Sequence, residues 1–584
     1  MLRDKAYDEF PDKLSAHAIT PNELTRVIDF LEQVELETEQ ELGVRRGNQE
    51  LRMLAFLMRN HLTGRQTTQT TLIQASGLTY GTALRVLEDL VDRGTVIKRP
   101  RTKTGRSFSL HPSPDHIKQW KVLSRRIKGI VGGVVGWRKQ NKVVDDYYFG
   151  SSYMCASVIQ APSALPEPLP VSKVRMLLHA DPTFLAMSSV KRQFEELIGT
   201  NIEIKTHSID RLYREIYNNS QLNRSKYDIV ACDITWVGEM ASRKVILPNN
   251  DFFGDDEFSL NDFHPTSTSC ATFNDQYYGV PIHTAPELFL YRRDLFEEAG
   301  LQVPTTTGSV LKAVKALHNP NKGMSGIAWN AASGTPLGHT FCMVMAAFGQ
   351  PIINLRVGEG SFHSDQLNRD DFRPQFLSNA AFETANYLLE LMDYSPKNIF
   401  SMSWYERAKC YANGDCAMAY CYSLLASMFL NDKDSPTYGV TNFLPHPHGP
   451  KGTPIAPMGG YVLAIPSNIE TNRIEAALQA MRFFTSAESI KQYVLNGSTS
   501  SPRMSVGSDP EVYDVCQLVS QVDQMERTGV LQGWPRPPIP ELPEIVNIIG
   551  EEIFGILKRD TTIKSALSAV QNRCDALMRA NGRY

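Results

Sequence analysis

Three short strand-like runs, VRMLLH at 174–179, IEIKT at 202–206 and YDIVAC at 227–232, decide the fold of most of this chain. Between them lie two stretches with helical spacing, Ser188 to Ile198 and Ile209 to Asn218. Runs of five or six residues separated by helices of this length predict a parallel sheet with helices on its faces. Ligands of such sheets sit at the carboxyl ends of the strands, and the stretch Cys232 to Trp236 is at one of them.

Working outward, the 584 residues are too many for one core and suit two to four domains. The net charge of -3 hides an asymmetry: from Arg93 to Val144 there are fourteen Lys or Arg against one acid, Asp115. Such a stretch is either a face that meets phosphates or a solvated basic face without a partner. The first residues carry acids at positions 4, 8 and 9 with no apolar run behind a basic start, which reads as no secretory signal. No apolar run approaches the roughly 18 residues of a spanning helix, so no membrane partner is expected. Nine cysteines without paired short spacings read as buried thiols, with neither metal nor cofactor expected.

Ahead of the sheet, residues 1–47 hold an opening helix. Thr20 can cap it, Pro21 suits its first position, and Leu24, Val27, Ile28, Leu31 and Val34 form a stripe that serves either dimerisation or the adjoining core. Residues 48–112 read as three helices and two short strands. The third helix, about Thr79 to Arg93, is expected to bury Leu84, Leu87 and Val91 and to expose Thr82, Arg85 and Asp89. Residues 113–172 are a basic segment followed by a Pro-rich stretch, Gly150 to Ser172, that reads as a stiff linker. Residues 173–584 form the last region.

The run from Thr71 to Gly94, with the basic hairpin after it, resembles the winged helix-turn-helix of MarR-type regulators. That resemblance implies DNA contacts from Thr79, Tyr80, Thr82 and Arg85 on the third helix. On the hairpin it implies them from Lys98, Arg99, Arg101, Lys103 and Arg106. A winged helix can also be a protein-docking module.

Beyond residue 173 the blocks Tyr227 to Trp236, Phe273 to Thr284, Leu290 to Leu301, Tyr411 to Met418, Gly459 to Pro466 and Ser501 to Arg503 follow one another in the order of a known family. They resemble family 1 extracellular solute-binding proteins, the maltose-binding-protein-like receptors. The resemblance implies two α/β lobes of the type II periplasmic-binding-protein fold, closing on a solute.

Sugars are held by aromatic faces and by donors and acceptors at their hydroxyls. The candidates are Trp236, Trp329, Trp404, Tyr422 and Trp534 for stacking. Asp233, His283, Thr284, Glu287, Asn330 and Arg503 are the polar candidates, with Gly459 and Gly460 in the last block. A single Trp is more often core than platform, and His283 alone is more often a satisfied histidine.

No motif for nucleotide, zinc-protease or serine-hydrolase chemistry is present, so no catalysis is expected. The expectation is thus a multi-domain α/β protein, a winged helix fused to a two-lobed sensor. It would act as a cytoplasmic, homodimeric transcription regulator that binds double-stranded DNA and responds to a sugar or sugar derivative. The alternative is the solute-binding receptor of an ABC sugar transporter carrying an N-terminal interaction module.

Overall fold

The computed structural model describes residues 21–45, 47–100, 108–134, 158–250, 260–358, 362–364 and 367–584. They fall into two compact units. Described residues up to 134 and Ser163–Pro166 make the first, and Val158–Pro162 with everything from Glu167 onward makes the second.

The first unit runs α1 (Pro21–Leu42), α2 (Asn48–Leu62), α3 (Gln69–Ser76), α4 (Tyr80–Asp92), β1 (Val96–Pro100), β2 (Phe108–Pro112) and α5 (Pro114–Val134). Thr68 caps α3 through a reciprocal pair with Thr71, and Gly77, at φ 70°, ends it. β1 and β2 pair antiparallel, Val96 opposite Pro112. Met53, Leu54, Leu57, Leu72, Val86, Leu87, Leu90, Val96 and Leu110 form the core. The buried face of α4 is Ala83, Val86, Leu87 and Leu90, so the expected stripe of Leu84, Leu87 and Val91 was rotated, with Leu84 and Val91 only half-buried at its edge. Glu50, fully buried on α2, pairs with Arg93 at 2.5 Å and ties α2 to the end of α4. The stripe on α1 is not part of this core: Val27, Ile28 and Leu31 are about half exposed, and α1 packs instead on α5, where Arg126 meets Glu37 at 2.5 Å and Glu41 at 2.8 Å. The stretch from Lys118 on α5, unassigned from sequence, is thus helical as far as Val134.

The second unit is built on two larger sheets, of five and four strands. The first contains β3 (Lys173–His179), β4 (Asn201–His207), β5 (Ile229–Asp233), β6 (Val280–Pro281) and a strand contributed late in the chain, Tyr461–Ala464, in the order β4, β3, β5, Tyr461–Ala464, β6. β3, β4 and β5 are parallel, as their sequence spacing predicts, while the late strand runs antiparallel beside β5, Tyr461 opposite Asp233. The second sheet contains β7 (Glu287–Arg292), β8 (Ser325–Ala328), β9 (Cys416–Tyr422) and β10 (Thr441–Leu444), in the order β8, β9, β7, β10. The chain crosses from one sheet to the other between β6 and β7 and returns between β10 and Tyr461. Two sheets joined by crossing segments are two lobes.

The described end of the stretch expected to be a stiff linker packs on the second unit. Leu169 is buried and donates its backbone N–H to the Ile198 carbonyl at 3.0 Å, and a side chain on Gly199 would collide with Pro168. The helix expected over Ser188 to Ile198 is two helices, Pro182–Ser189 and Lys191–Ile198. Further on, helices α7 (Thr335–Ala347) and α9 (Leu542–Leu557) press together at glycines: a Cβ on Gly338 would overlap the Val546 carbonyl, and one on Gly550 that of Gly334. Between them in the sequence lies α8 (Trp404–Ala412), and α6 (Ile209–Ser220) follows β4 in the first lobe. Among the described residues no helix is long and apolar enough to cross a membrane, and no group of three or more His, Cys, Asp or Glu could hold a metal ion.

Candidate binding cleft between the two lobes

A cavity of about 390 Å³ opens where the ends of the two sheets face each other. On the first lobe its wall is made of strand ends. β3 ends at His179, and the next turn places Asp181 as the cap of helix Pro182–Ser189, accepting from the N–H groups of Thr183 at 2.9 Å and Phe184 at 3.1 Å. Asp181 also lies 3.1 Å from His179 Nδ1, and 3.7 Å from His283 Nε2. Burial pushes the Asp181 carboxyl up, but His283, His179 and the capping N–H groups together hold it below the ordinary carboxylate range. Facing a carboxylate, His179 donates from Nδ1. The His179 ring stacks on Tyr461 at 5.0 Å.

β5 ends at Asp233, whose Oδ1 accepts from the Thr235 N–H at 2.9 Å and hydroxyl at 2.7 Å. Burial pushes this carboxyl up, with Arg536 opposing. Gly459 and Gly460 complete the wall. Gly460 has φ 135°, and any side chain on Gly459 would meet the Tyr422 ring at 2.6 Å and the Ala285 carbonyl at 2.7 Å.

The second lobe supplies aromatic and aliphatic groups. Ser403 and Glu406 form a capping box that starts α8 and turns Trp404 and Tyr405 into the cavity. Tyr422 ends β9 and packs with Ala285, Met343 and Leu424, against which Trp404 and Leu425 lie. Its ring is flanked by two guanidinium groups, Arg407 at 5.4 Å and Arg536 at 5.7 Å, and its Oη accepts from Arg536 at 2.8 Å. Burial pushes the Tyr422 hydroxyl up to about 12. Arg536 is buried and its two hydrogen bonds go to neutral oxygens, Tyr422 Oη and the Met458 carbonyl. His339, on α7, meets Trp404 edge-on at 6.2 Å; burial, aided by Arg536, pulls its pKa down to about 3, so it is neutral.

Of the thirteen residues assigned from sequence to ligand contact, Asp233, Trp404, Tyr422, Gly459 and Gly460 line this cavity. The other eight do not. Trp236 packs edge-on against Tyr213 at 5.1 Å. His283 is buried beside Asp181 behind the wall, and Thr284 bonds Ser267 at 2.5 Å and His264 at 3.0 Å. Glu287 is fully buried within the second lobe, 2.5 Å from Arg407 and 3.3 Å from His446; burial pushes its carboxyl up, but Arg407 and His446 bring it down to about 2. Trp329 donates to Ser395 at 2.9 Å, and Asn330 next to it is fully buried. Arg503 pairs with Asp262 at 2.9 Å, and Trp534 lies 4.5 Å from Phe362.

In all but Asn330, whose amide is buried without a hydrogen-bond partner, a neighbour distant in sequence takes the side chain. Sequence reasoning missed His179, His339, Tyr405, Tyr461 and Arg536. The rule that strand carboxyl ends carry ligand contacts would have found His179 and the Ser208–Asp210 turn after β4. Nothing local marks Arg536.

On the first unit, Thr79, Tyr80, Thr82 and Arg85 are exposed on α4, and Lys98 lies over the Phe108 ring at 4.4 Å. Arg99 does not face solvent: it is 5% exposed and donates to the Leu165 carbonyl, so its expected nucleic-acid contact is corrected. Arg101, Lys103 and Arg106 lie outside the described residues.

Comparison with known proteins bears on the whole. The family model of bacterial extracellular solute-binding proteins matches residues 184–491, more than half of the chain, and the chain belongs to that family. A probable amino-acid ABC transporter periplasmic-binding protein of Sinorhizobium fredii is 23% identical over 448 residues, which is 74% of this chain and 96% of that protein. A mannitol-binding protein of Pseudomonas aeruginosa is 22% identical over 216 residues, 36% of this chain and 46% of its own. Among solved structures, an ABC transporter solute-binding protein of Agrobacterium radiobacter in complex with ribitol superposes with a TM-score of 0.64 at 23% identity, over 70% of this chain and all of that one. One from Agrobacterium vitis with bound D-mannitol gives 0.60 at 18%, over 70% and 99%.

The two-lobed fold is therefore shared. The same relatives overturn the expectation of a cytoplasmic, DNA-binding transcription regulator and favour its alternative. Three of them are named as solute-binding proteins of ABC transporters, none gives double-stranded DNA support as a partner, and the extracellular family and its periplasmic relative point away from the cytoplasm.

Proposed function

Taking that family membership as the premise, we propose that the chain is a solute-binding receptor of an ABC-type uptake system and that its ligand is a small polyhydroxylated solute, a sugar or alditol. One observation carries this reading: the cavity has acceptors and donors on one wall, Asp233 and His179, and the rings of Trp404, Tyr405 and Tyr422 on the other. A sugar has the same two aspects, hydroxyls at its edge and C–H groups on its face. The volume of about 390 Å³ is within the roughly 300–1,000 Å³ of small-ligand sites. Binding would favour the closed lobe pair to the extent that the ligand touches both walls. Nothing in this chemistry calls for catalysis.

A second reading rests on the opposite charges of Asp233 and Arg536 on the same cavity, which would suit the ammonium and carboxylate of an amino acid. Thermal shift of the full-length protein against alditols, hexoses, disaccharides and amino acids separates the two, since a specific ligand raises apparent stability by mass action. The polyol reading expects a rise with an alditol or sugar and none with amino acids; a response to amino acids alone sinks it.

Three helices and two paired strands in residues 48–112 are compatible with a winged helix, and we read this unit as an interaction module. Tyr80, 61% exposed on α4, is its most conspicuous contact group.

A further inference from the structure

One charge on the cleft has no counter-charge at hand. Arg536 lies in the run Trp534-Pro535-Arg536-Pro537-Pro538, where proline rings restrict the backbone on both sides of it. The run is clamped as well. Leu531–Gln532 just before it pairs with Ala456–Pro457, the Arg536 N–H donates to the Gly533 carbonyl at 3.2 Å, and a side chain on Gly238 would overlap the Pro538 carbonyl. The guanidinium is therefore carried to the cavity on a stiff segment, and it is only 7% exposed. Two of its N–H groups go to neutral oxygens, Tyr422 Oη at 2.8 Å and the Met458 carbonyl, and Nε has no partner. Arg407, which also flanks the Tyr422 ring, has Glu287 at 2.5 Å, whereas Arg536 forms no ion pair among the described residues. A guanidinium keeps its charge, and a buried charge held by neutral oxygens alone is destabilising until an anion meets it. Asp233, on the first-lobe wall, forms no ion pair either: its Oδ1 is taken by the Thr235 N–H and hydroxyl, and the residue is half-buried. The cavity thus presents one cation and one carboxylate that do not neutralise each other.

We propose that the cleft selects sugar acids with a single carboxylate, an aldonate or a uronate, bound with the carboxylate at Arg536 and hydroxyls at Asp233. The inference rests on the reading of the ligand as a polyhydroxylated solute and narrows it. The unused Nε–H is the donor from which the ligand carboxylate accepts, as a charge-assisted hydrogen bond stronger than one between neutral groups. Asp233 has only acceptor oxygens to offer, which suits the hydroxyl end of the same molecule. Its charge also repels a second carboxylate there, so an aldarate, acidic at both ends, is turned away. A neutral alditol fills the same space and leaves Arg536 without its anion.

Calorimetric titration of the full-length protein at neutral pH tests this with matched carbon skeletons: ribitol and ribonate, mannitol and mannonate, glucitol and gluconate, glucose and glucuronate, and the diacids mannarate and glucarate. In the pair that binds best, the acid should bind about 10–100-fold tighter than its neutral counterpart, and the matching diacid at least about tenfold weaker than the mono-acid. Arg536→Gln should bring the ratio of acid to neutral affinity down to about one, and Asp233→Asn should raise the affinity for the diacid. Should Arg536→Gln fail to fold, the ranking on the parent protein and the Asp233→Asn variant still decide. Neutral polyols that bind as well as their acids overturn the inference and leave the polyol reading standing, whereas a panel in which neither polyols nor acids bind overturns both. A preference for the acid that persists in folded Arg536→Gln, or a diacid bound as tightly as the mono-acid, also overturns it.

Discussion

The two walls of the cleft are built on different principles. The first lobe offers main-chain-anchored polar groups at strand ends, Asp233 held by Thr235 and His179 held by Asp181. The second offers rings carried on the start of α8 and the end of β9, backed by buried charge: Arg407 and Arg536 flank Tyr422, and Arg407 is neutralised by Glu287. The polar wall depends on local turns, the aromatic wall on one ion pair, Arg407 with Glu287, and one hydrogen bond, Arg536 to Tyr422, each made across more than a hundred residues of sequence. Damage should therefore spread further through the second lobe than through the first.

The severest test of that contrast is Arg407→Met. It leaves Glu287 buried without its guanidinium, and urea unfolding should show a loss of about 3–5 kcal/mol. Next comes acid. His339 is neutral in the folded protein with its pKa at about 3, whereas the unfolded chain takes up a proton below the ordinary value near 6.5. Stability is therefore full above pH 6.5 and falls as pH drops toward 3, by about 1.4 kcal/mol per pH unit in that window. His339→Gln should flatten a plot of melting temperature against pH there. His111 in the first unit, lowered to about 4 by burial, acts with the same sign over a narrower range.

Smaller effects fall on binding. Trp404→Ala, measured by calorimetry with whichever solute the thermal panel selects, should weaken affinity roughly 10–100-fold, about 1.5–3 kcal/mol of buried ring surface. Asp233→Asn should cost about 1.5 kcal/mol, roughly tenfold, with little change in stability. If Asp233 proves the more costly of the two, the ranking of the walls is reversed. Smallest of all, Tyr80→Ser in the first unit should leave both solute affinity and unfolding within about 0.5 kcal/mol of the parent, because the ring is exposed.

Much of the fold was legible. The runs at 174–179, 202–206 and 227–232 became three parallel strands: the first and third are mostly apolar and buried, while the second, at the sheet edge, turns only Ile202 and Ile204 inward. The third helix of the first unit was legible in extent but not in rotation, because its stripe tolerates either Val86 or Leu84 toward the core. What the sequence could not decide for the stripe on α1 and for the Pro-rich stretch before β3 has one shared reason: whether an apolar or Pro-rich segment is covered depends on what packs on it. The functional class was read through the basic charge run, and the relatives of the second unit corrected it.

The sequence alone determined most of the strands and helices, because periodicity and turn chemistry act over a few residues, and its resemblance to solute-binding proteins implied the two α/β lobes that follow a smaller helical unit. Only the tertiary structure decided that His179, Asp233, His339, Trp404, Tyr422, Gly460 and Arg536 share one cavity while Glu287, Trp329 and Arg503 are consumed inside the lobes. Those destinations are set by packing between segments hundreds of residues apart, and no local pattern encodes which partner a side chain meets.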